Sequence, residues 1–156
     1  MLEISPLTND PGVVQQLVEW NVRYWSDKVA HVTDEEWHSF FRDSLTSAPD
    51  ALPTTLVGST NSEVFGSVSL VEVDDVEEYP NYRPWVAALF VEESQRGQGR
   101  GDFLLAAIVD VARTMNFSSL YLWTEAQAPW YERRGWRVIH SVEVRGTAAS
   151  ILTFEL

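Results

Sequence analysis

A turn rich in glycine and arginine lies in the second half of the chain, reading Arg96-Gly97-Gln98-Gly99-Arg100-Gly101. It follows an apolar run typical of a buried strand and precedes the pattern of an amphipathic helix. Such a turn presents backbone N–H groups at the positive end of the helix dipole, where a phosphate binds well. Glycines let an anion approach the backbone, and arginines supply further donors. The pattern indicates an anion site, with a tight connection between elements as the alternative.

Two familiar phosphate-binding motifs do not fit this turn. A P-loop requires a lysine followed by serine or threonine after its last glycine, and neither that spacing nor the lysine is present. The dinucleotide fingerprint requires a third glycine, but Gly99 and Gly101 are followed by Phe103 and Leu104. A plain nucleotide-binding domain is therefore disfavoured.

The charge of the chain is distributed unevenly around this turn. The net charge is -12, yet residues 96–137 carry six basic and four acidic side chains, against four basic and 17 acidic ones in residues 1–95. An acidic protein lacks the basic surface that nucleic acids require, so we expect no nucleic-acid partner. The segment whose charge balance favours binding of an anion therefore begins at Arg96.

Composition narrows the remaining chemistry. The chain has no cysteine, which excludes disulfides and an acyl-thioester on the protein. His31, His38 and His140 are too scattered to predict a metal site, so we expect no metal. The first residues do not resemble a signal peptide, and no apolar stretch is long enough to span a bilayer, so we expect a cytoplasmic protein without a membrane partner.

The elements that must position the turn follow from apolar periodicity. Asp10 before Pro11 and the spacing Thr33-x-x-Glu36 predict two helix starts. A third helix follows the glycine turn, and a short fourth one covers 129–133. Strands are predicted over 2–4, 54–57, 64–73, 85–91, 120–124, 136–144 and 151–154. The order predicts an α/β (mixed α+β) domain over residues 1–156, with one mixed sheet and helices on both faces.

The residues around the turn resemble a known family. The segment 89–101, with the spacing Arg96-x-x-Gly99-x-Gly101, is similar to motif A of the GNAT N-acetyltransferases, whose pattern is Q/R-x-x-G-x-G/A. The segment 128–136, APWYERRGW, resembles the strand-following A-x-x-Y-E-[KR]-x-G-[FW] segment of the same family. The resemblance is sharp over residues 85–137. It implies a single GNAT-like domain with a twisted, mostly antiparallel sheet of six or seven strands.

The resemblance also implies roles for particular residues. Acetyl-CoA would be the acyl donor, with its pyrophosphate on the backbone amides of Arg96, Gly97, Gln98, Gly99, Arg100 and Gly101. Its pantetheine arm would pair with the main chain of Leu89 and Val91, in a gap between strands 85–91 and 120–124. A backbone N–H near Phe90 or Val91 would stabilise the thioester oxyanion. Tyr131 would be the general acid that protonates the leaving thiolate; packing beneath a turn is its structural alternative.

The acceptor side is less well defined by the sequence. An attacking amine must lose a proton, and Glu72, near the end of a strand, is the first candidate for the general base, followed by Asp74, Asp75 and Glu78. His31 is a further candidate. Aromatic residues of the first two helices, together with the acidic balance of residues 1–95, favour a small cationic amine or a basic peptide terminus.

Three functions remain distinguishable at this point. The first is an N-acetyltransferase that moves the acetyl group directly to a primary amine. The second is a non-catalytic acyl-CoA-binding or sensing module of the same fold, and the third is a plain nucleotide-binding domain. The C-terminal hairpin is compatible with a homodimer, but no pattern requires one.

Overall fold

The protein is described from a computed structural model, which covers residues 1–25, 32–48 and 50–156. The strands are β1 (Leu2–Pro6), β2 (Thr54–Thr60), β3 (Glu63–Val71), β4 (Trp85–Val91), β5 (Ser119–Thr124), β6 (Arg137–Val144) and β7 (Thr147–Glu155). The helices are α1 (Pro11–Trp25), α2 (Asp34–Thr46), α3 (Arg100–Thr114) and α4 (Ala128–Glu132), and a short 3₁₀ turn covers Glu93–Gln95.

The seven strands form one mixed sheet in the order β1-β2-β3-β4-β5-β7-β6. Every neighbouring pair is antiparallel except β4 and β5, which run parallel. The predicted mixed, mostly antiparallel sheet of six or seven strands is therefore confirmed. The single parallel pair arises because the connection from β4 to β5 is a crossover through α3, as parallel strands require.

Helices cover both faces of the sheet. Leu56 and Val57 are neighbours on β2, and the two-residue period of a strand sends their side chains to opposite faces. Leu56 packs in a core with Leu104 of α3, whereas Val57 packs in a second core with Phe41 of α2. The alternation of apolar residues on the strands thus places α3 on one face and the α1–α2 pair on the other.

The first two helices begin where their capping residues stand. The Asp10 carboxylate accepts a hydrogen bond from Gly12 N–H at 2.9 Å, and the Thr33 hydroxyl accepts one from Glu36 N–H at 3.2 Å. Both side chains satisfy backbone donors that have no partner in the first helical turn. Both predicted helix starts are confirmed.

The structure differs from the sequence prediction at two hairpins: β7 begins at Thr147 rather than at 151, and the β2–β3 turn is shorter than predicted. The strands extend to Thr60 and from Glu63, leaving a two-residue turn in which Asn61 and Ser62 both have positive φ, 52° and 68°. Such a turn matches the twist of the flanking strands, so pairing continues to its edge. At the other end, β3 stops at Val71, and Val73 is 61% exposed.

None of the helices in the described residues combines the length and the apolar character that crossing a bilayer requires.

Candidate active site

The sheet opens between its two parallel strands. β4 and β5 share a single register pair, Trp85 with Tyr121, and the Tyr121 N–H donates to the Pro84 carbonyl at 3.1 Å. Beyond that point the strands diverge, and a cleft of about 740 Å³ lies between them. Residues of both strands, of all four helices and of the glycine turn line it. The separation of two neighbouring strands therefore creates the main cavity.

A bulge in β4 shapes the wall of this cleft. Ser67 pairs with Phe90 and Ser69 with Ala87, so two residues of β4 stand opposite one residue of β3. Ala88, inside the bulge, has φ of 52°, which is a strained conformation for a residue with a Cβ. Bulges bend a strand and redirect its groups, and they are common beside active sites. This bulge lies beyond Trp85, the one residue of β4 in register with β5.

Gly66 of β3 lets β4 bend in this way. A Cβ at Gly66 would lie 2.2 Å from the Phe90 carbonyl oxygen. The two backbones therefore approach more closely than any other residue would permit. The bulge and the glycine together fix the position of the last residues of β4, which continue into the turn.

The glycine turn presents unused backbone donors to the cleft. Gly97 and Gly99 have φ of 75° and 79°, and a Cβ at either would have no atom within 4 Å. Gly99 is the N-cap of α3, and no side chain caps that helix. In the described part of the chain, the N–H groups of 97–99 donate to no protein acceptor, whereas the Arg96 N–H bonds the Glu93 carbonyl at 3.3 Å. An anion can reach the first turn of α3 without a steric obstacle.

The two arginines of the turn are held in place by different contacts. The Arg96 Nε donates to the Val91 carbonyl at 2.7 Å, and its guanidinium lies against the rings of both Tyr24 and Phe90. Arg100 bonds the side chains of Gln95 and Gln98, and its Nε is buried without a partner among the described residues. Arg96 ties the turn to β4, and Arg100 keeps one donor unused.

Tyr131 reaches the cleft from α4. Its ring contacts Trp130 and Trp136 edge-on, with ring centroids 4.9 and 5.9 Å away. Burial, and next the phenol of Tyr24, raise the pKa of Tyr131 well above the ordinary value, and Arg134 opposes them. The phenol therefore keeps its proton at neutral pH, as a hydrogen-bond donor or general acid must.

An ion pair fixes α4 against the start of α3. The Arg134 guanidinium bonds both carboxylate oxygens of Asp102, with Nη2 to Oδ2 at 3.1 Å. The same guanidinium lies over the Trp130 ring at 3.7 Å and donates to the Trp130 carbonyl at 2.9 Å. Since Asp102 follows the glycine turn directly, these contacts hold the helix of Tyr131 beside that turn.

Asp74 lines the cleft from the loop after β3. Burial, and next the charge of Asp75, raise the pKa of Asp74 to about 7, while the Trp123 indole N–H and Arg145 oppose the rise. The indole approaches the carboxyl without completing a hydrogen bond. Asp75 is itself paired with Arg145 at 3.2 Å. A carboxyl that titrates near neutrality is suited to accept a proton from an amine.

The structure brings most of the sequence-predicted site residues together, but not all of them. Tyr131 and these predicted cofactor residues line the cleft: Leu89, Phe90, Val91, Arg96, Gly97, Gly99, Arg100 and Gly101. Gln98 is exposed beside it and contacts Arg100.

Glu72, the first candidate for the base, lies elsewhere. It is exposed and paired with Arg83, with its Oε1 2.6 Å from Nε, in a separate groove near the end of α3. Strand alternation would place Glu72 and Asp74, two residues apart, on one side, but the chain leaves the sheet after Val71, and in the loop Glu72 points away from the cleft that Asp74 reaches. Glu78 is exposed and outside the cleft, and His31 lies outside the described residues.

Trp123 and Asp102 were not singled out from the sequence. The alternation of β5 carries a usable signal for Trp123, since Leu122 packs toward α3 and its neighbour must face the other side. The sequence carries no comparable local pattern for Asp102, because its partner Arg134 is 32 residues away.

Among the described residues, no group of three or more histidine, aspartate and glutamate side chains is arranged to hold a metal ion.

Comparisons with known proteins agree with this geometry. The sequence pattern of the Acetyltransferase (GNAT) family matches residues 14–136. An acetyltransferase from Streptococcus agalactiae has the same fold, with a TM-score of 0.77 at 20% identity over 99% of this chain and 98% of that one. An aminoglycoside 6'-N-acetyltransferase in complex with coenzyme A gives a TM-score of 0.76 at 14% identity over 98% and 96%.

A GNAT family acetyltransferase from Elizabethkingia anophelis with acetyl-CoA bound gives a TM-score of 0.65 at 18% identity, over 99% of this chain and 98% of that one. A comparison with curated protein sequences gave no match. At these identities the structural likeness establishes the fold, and the family pattern, which spans most of the chain, establishes the relationship. The chain belongs to the GNAT family of acetyltransferases.

Proposed function

We propose that the protein transfers an acetyl group from acetyl-CoA directly to a primary amine. The observation that carries this proposal is one cleft, opened by the divergence of β4 and β5, that holds a turn with unused backbone donors, a protonated phenol and a carboxyl with a pKa of about 7. These are the groups that acyl transfer from a thioester to an amine requires. The chain has no cysteine to carry the acyl group, so both substrates occupy the cleft together.

The donor half of the cleft suits a pyrophosphate followed by an extended arm. The unused N–H groups of Gly97 and Gly99, at the positive end of α3, would bind the pyrophosphate. Arg100 would add its unpartnered Nε. The main chain of Leu89 and Val91, on the edge of β4 that β5 leaves open, would pair with the amides of the pantetheine arm as an added strand does.

The chemistry then needs two proton transfers, and one residue is available for each. The amine nitrogen first adds to the acetyl carbon, giving a tetrahedral oxyanion, and the carbon–sulfur bond then breaks as the carbonyl re-forms. Asp74 would take the proton that the amine loses, and the Tyr131 hydroxyl would give its proton to the departing thiolate. A backbone N–H at the end of β4, near Phe90 or Val91, would stabilise the oxyanion between these steps.

We call the part of the cleft that is lined by Glu36, Asp74, Asp75 and the neighbouring tryptophans its acceptor half. The charges of this half favour a cation. Among the described residues, Glu36, Asp74 and Asp75 line it against one base, Arg145, and tryptophan side chains line the same cleft. Carboxylates and aromatic faces both attract an ammonium group. We therefore propose a small cationic amine or a basic peptide terminus as the acceptor.

The test is an acceptor screen that follows the release of free CoA thiol. Purified protein and acetyl-CoA are incubated with polyamines, amino acids, aminoglycosides and peptides. Turnover should appear with cationic amines and be weak with anionic acceptors. Binding of acetyl-CoA without release of thiol to any amine would contradict the proposal and support the non-catalytic binding module.

A pair of tyrosine variants tests the role of Tyr131. Tyr131→Phe should lower kcat by about 10²-fold or more, since a general acid contributes about 10²–10⁴-fold, and should leave the Kd for CoA nearly unchanged. Tyr79→Phe is the matched control, because Tyr79 stacks on His140 outside the cleft. Equal rates in the two variants would remove Tyr131 from the mechanism.

A further inference from the structure

Three indoles line the acceptor half of the cleft. Trp25 comes from α1, Trp37 from α2 and Trp123 from β5, and the rings of Trp25 and Trp123 lie 6.2 Å apart. The Nε1 of each is buried and forms no hydrogen bond with the described residues, although Trp37 is only 9% exposed. An indole N–H is a donor only, and leaving a buried donor unsatisfied is costly. These groups could be satisfied by an oxygen atom of a ligand.

The charges around these indoles restrict the chemical type of oxygen atom that can bind to them. Among the described residues, Asp74, Asp75 and Glu36 line the same half of the cleft, and the one base there, Arg145, is paired with Asp75 at 3.2 Å. In this described part of the chain, a ligand carboxylate would therefore meet the charges of Glu36 and ionised Asp74 with no unpaired cation beside it. An uncharged carbonyl or hydroxyl oxygen accepts a hydrogen bond without that repulsion.

The remaining surface is apolar. Phe40 and Val32 complete this half of the cleft, next to the tryptophan rings. A flat, uncharged body would fill it better than a second ammonium group, which would have to give up its hydration there.

Resting on the proposed transferase function, we infer that the acceptor is a monoamine with an apolar body and an uncharged oxygen near the amine, which accepts a hydrogen bond from Trp25 or Trp37. An amino amide or a peptide N-terminus has this chemistry. A free amino acid lacks it because of its carboxylate, and a simple polyamine lacks it because it has no oxygen.

A matched set of three amines tests the inference: phenylalaninamide, phenylalanine and phenethylamine. They share a ring and an amine, and they carry a neutral carbonyl, a carboxylate or neither; because these groups also change the amine pKa, kcat/KM is expressed per concentration of unprotonated amine. The value of kcat/KM for the amide should exceed the values for the other two by about tenfold, the effect of one satisfied buried hydrogen bond.

Variants show whether an indole provides this discrimination. Trp37→Phe or Trp25→Phe should reduce the preference for the amide over phenethylamine by about tenfold relative to the wild type. The preference is the ratio of two kcat/KM values measured at one pH. The difference in amine pKa between the two compounds affects this ratio equally in wild type and variant, so it cancels when the two proteins are compared. Trp20→Phe is the control and should keep the preference, because Trp20 is a buried α1 residue that does not line the cleft.

A binding measurement separates this inference from the proposed function. Each of the seven tryptophans should give one indole N–H signal in an NMR spectrum, and the Phe variants would assign those of Trp25 and Trp37. With CoA bound, phenylalaninamide should move one of these signals downfield and phenylalanine should not. Two results would overturn the inference and leave the transferase function standing. One is acetylation that is faster with phenylalanine than with phenylalaninamide, and the other is acetylation of amines without any shift of an indole signal. Absence of both turnover and indole shift would overturn both.

Discussion

Replacing Asp74 by asparagine tests the acceptor half of the cleft, because the variant keeps the shape of the side chain and removes its titration. The pKa of Asp74 is raised to about 7, first by burial and then by Asp75. The carboxylate that can accept a proton therefore forms only above that pH. Since a general base contributes about 10²–10⁴-fold, the ratio of wild-type to variant kcat/KM should reach about that size above neutrality. Below pH 7 the ratio should fall by about tenfold per pH unit.

The same raised pKa predicts an effect on stability with a definite sign. In the unfolded chain the carboxyl titrates near 3.8, so between pH 3.8 and about 7 only the folded protein holds the proton. Stability contributed by this group is therefore lost as pH rises through that window, and the loss is constant above it. At about 1.4 kcal/mol per pKa unit, and reduced because Asp74 is partly exposed, the loss is about 2–4 kcal/mol.

Asp74→Asn should consequently be more stable than the wild type at pH 8 and nearly equal at pH 4. For a chain of this size the difference corresponds to a rise in Tm on the order of 5–10 °C. The active-site carboxyl would thus lower stability while providing the base.

The assay measures initial rates of thiol release between about pH 5.5 and about pH 9, and thermal unfolding in parallel. Dividing the wild-type rate by the variant rate at each pH cancels the pH dependence that the amine substrate itself contributes. Glu72→Gln is the comparison, because Glu72 is an exposed carboxylate paired with Arg83 outside the cleft, and its ratio should stay flat with pH. A flat ratio for Asp74→Asn would refute the reasoning. A pH-dependent ratio for Glu72→Gln alone would assign the base to Glu72.

Two glycine substitutions test the donor half. Gly99→Ala and Gly146→Ala both place a Cβ at positive φ, 79° and 82°, in open space, so each should lower the free energy of unfolding by about 1 kcal/mol. Only Gly99→Ala should raise the Kd for CoA, measured by calorimetry, and equal affinities would exclude the turn as the pyrophosphate site. Gly66→Ala would set its Cβ 2.2 Å from the Phe90 carbonyl; we expect a loss of more than about 2 kcal/mol in denaturant unfolding together with weaker CoA binding, and wild-type stability would show that the bulge does not depend on Gly66.

Most of the fold followed from local signals in the sequence. The capping residues Asp10 and Thr33 determine where two helices begin, and β4 was predicted with its observed bounds because a continuous apolar run admits few alternatives. The β2–β3 turn was predicted too long, since positive φ at Asn61 and Ser62 is set by strand twist rather than by residue type.

The candidate site was only partly predictable. The turn and Tyr131 are local motifs, so the sequence places them directly. The choice between Glu72 and Asp74 depends on which face of the loop after β3 meets the cleft, and that is decided by packing against Trp123 and Arg145. No local pattern contains these contacts, because they join residues about 50 and 70 positions apart in the sequence.

The divergence of β4 from β5 has a consequence for how sequences of this fold can drift. Only one register pair, Trp85 with Tyr121, joins the two strands, and the edge of β4 beyond it offers N–H and C=O groups that every residue type carries. A ligand that binds only to main-chain groups places few requirements on the residue types along that edge. Structures with TM-scores of 0.76 and 0.77 can then share as little as 14–20% of their residues with this chain. If the proposed acceptor site is correct, we expect sequence divergence to concentrate on its wall, where side chains would make the selection.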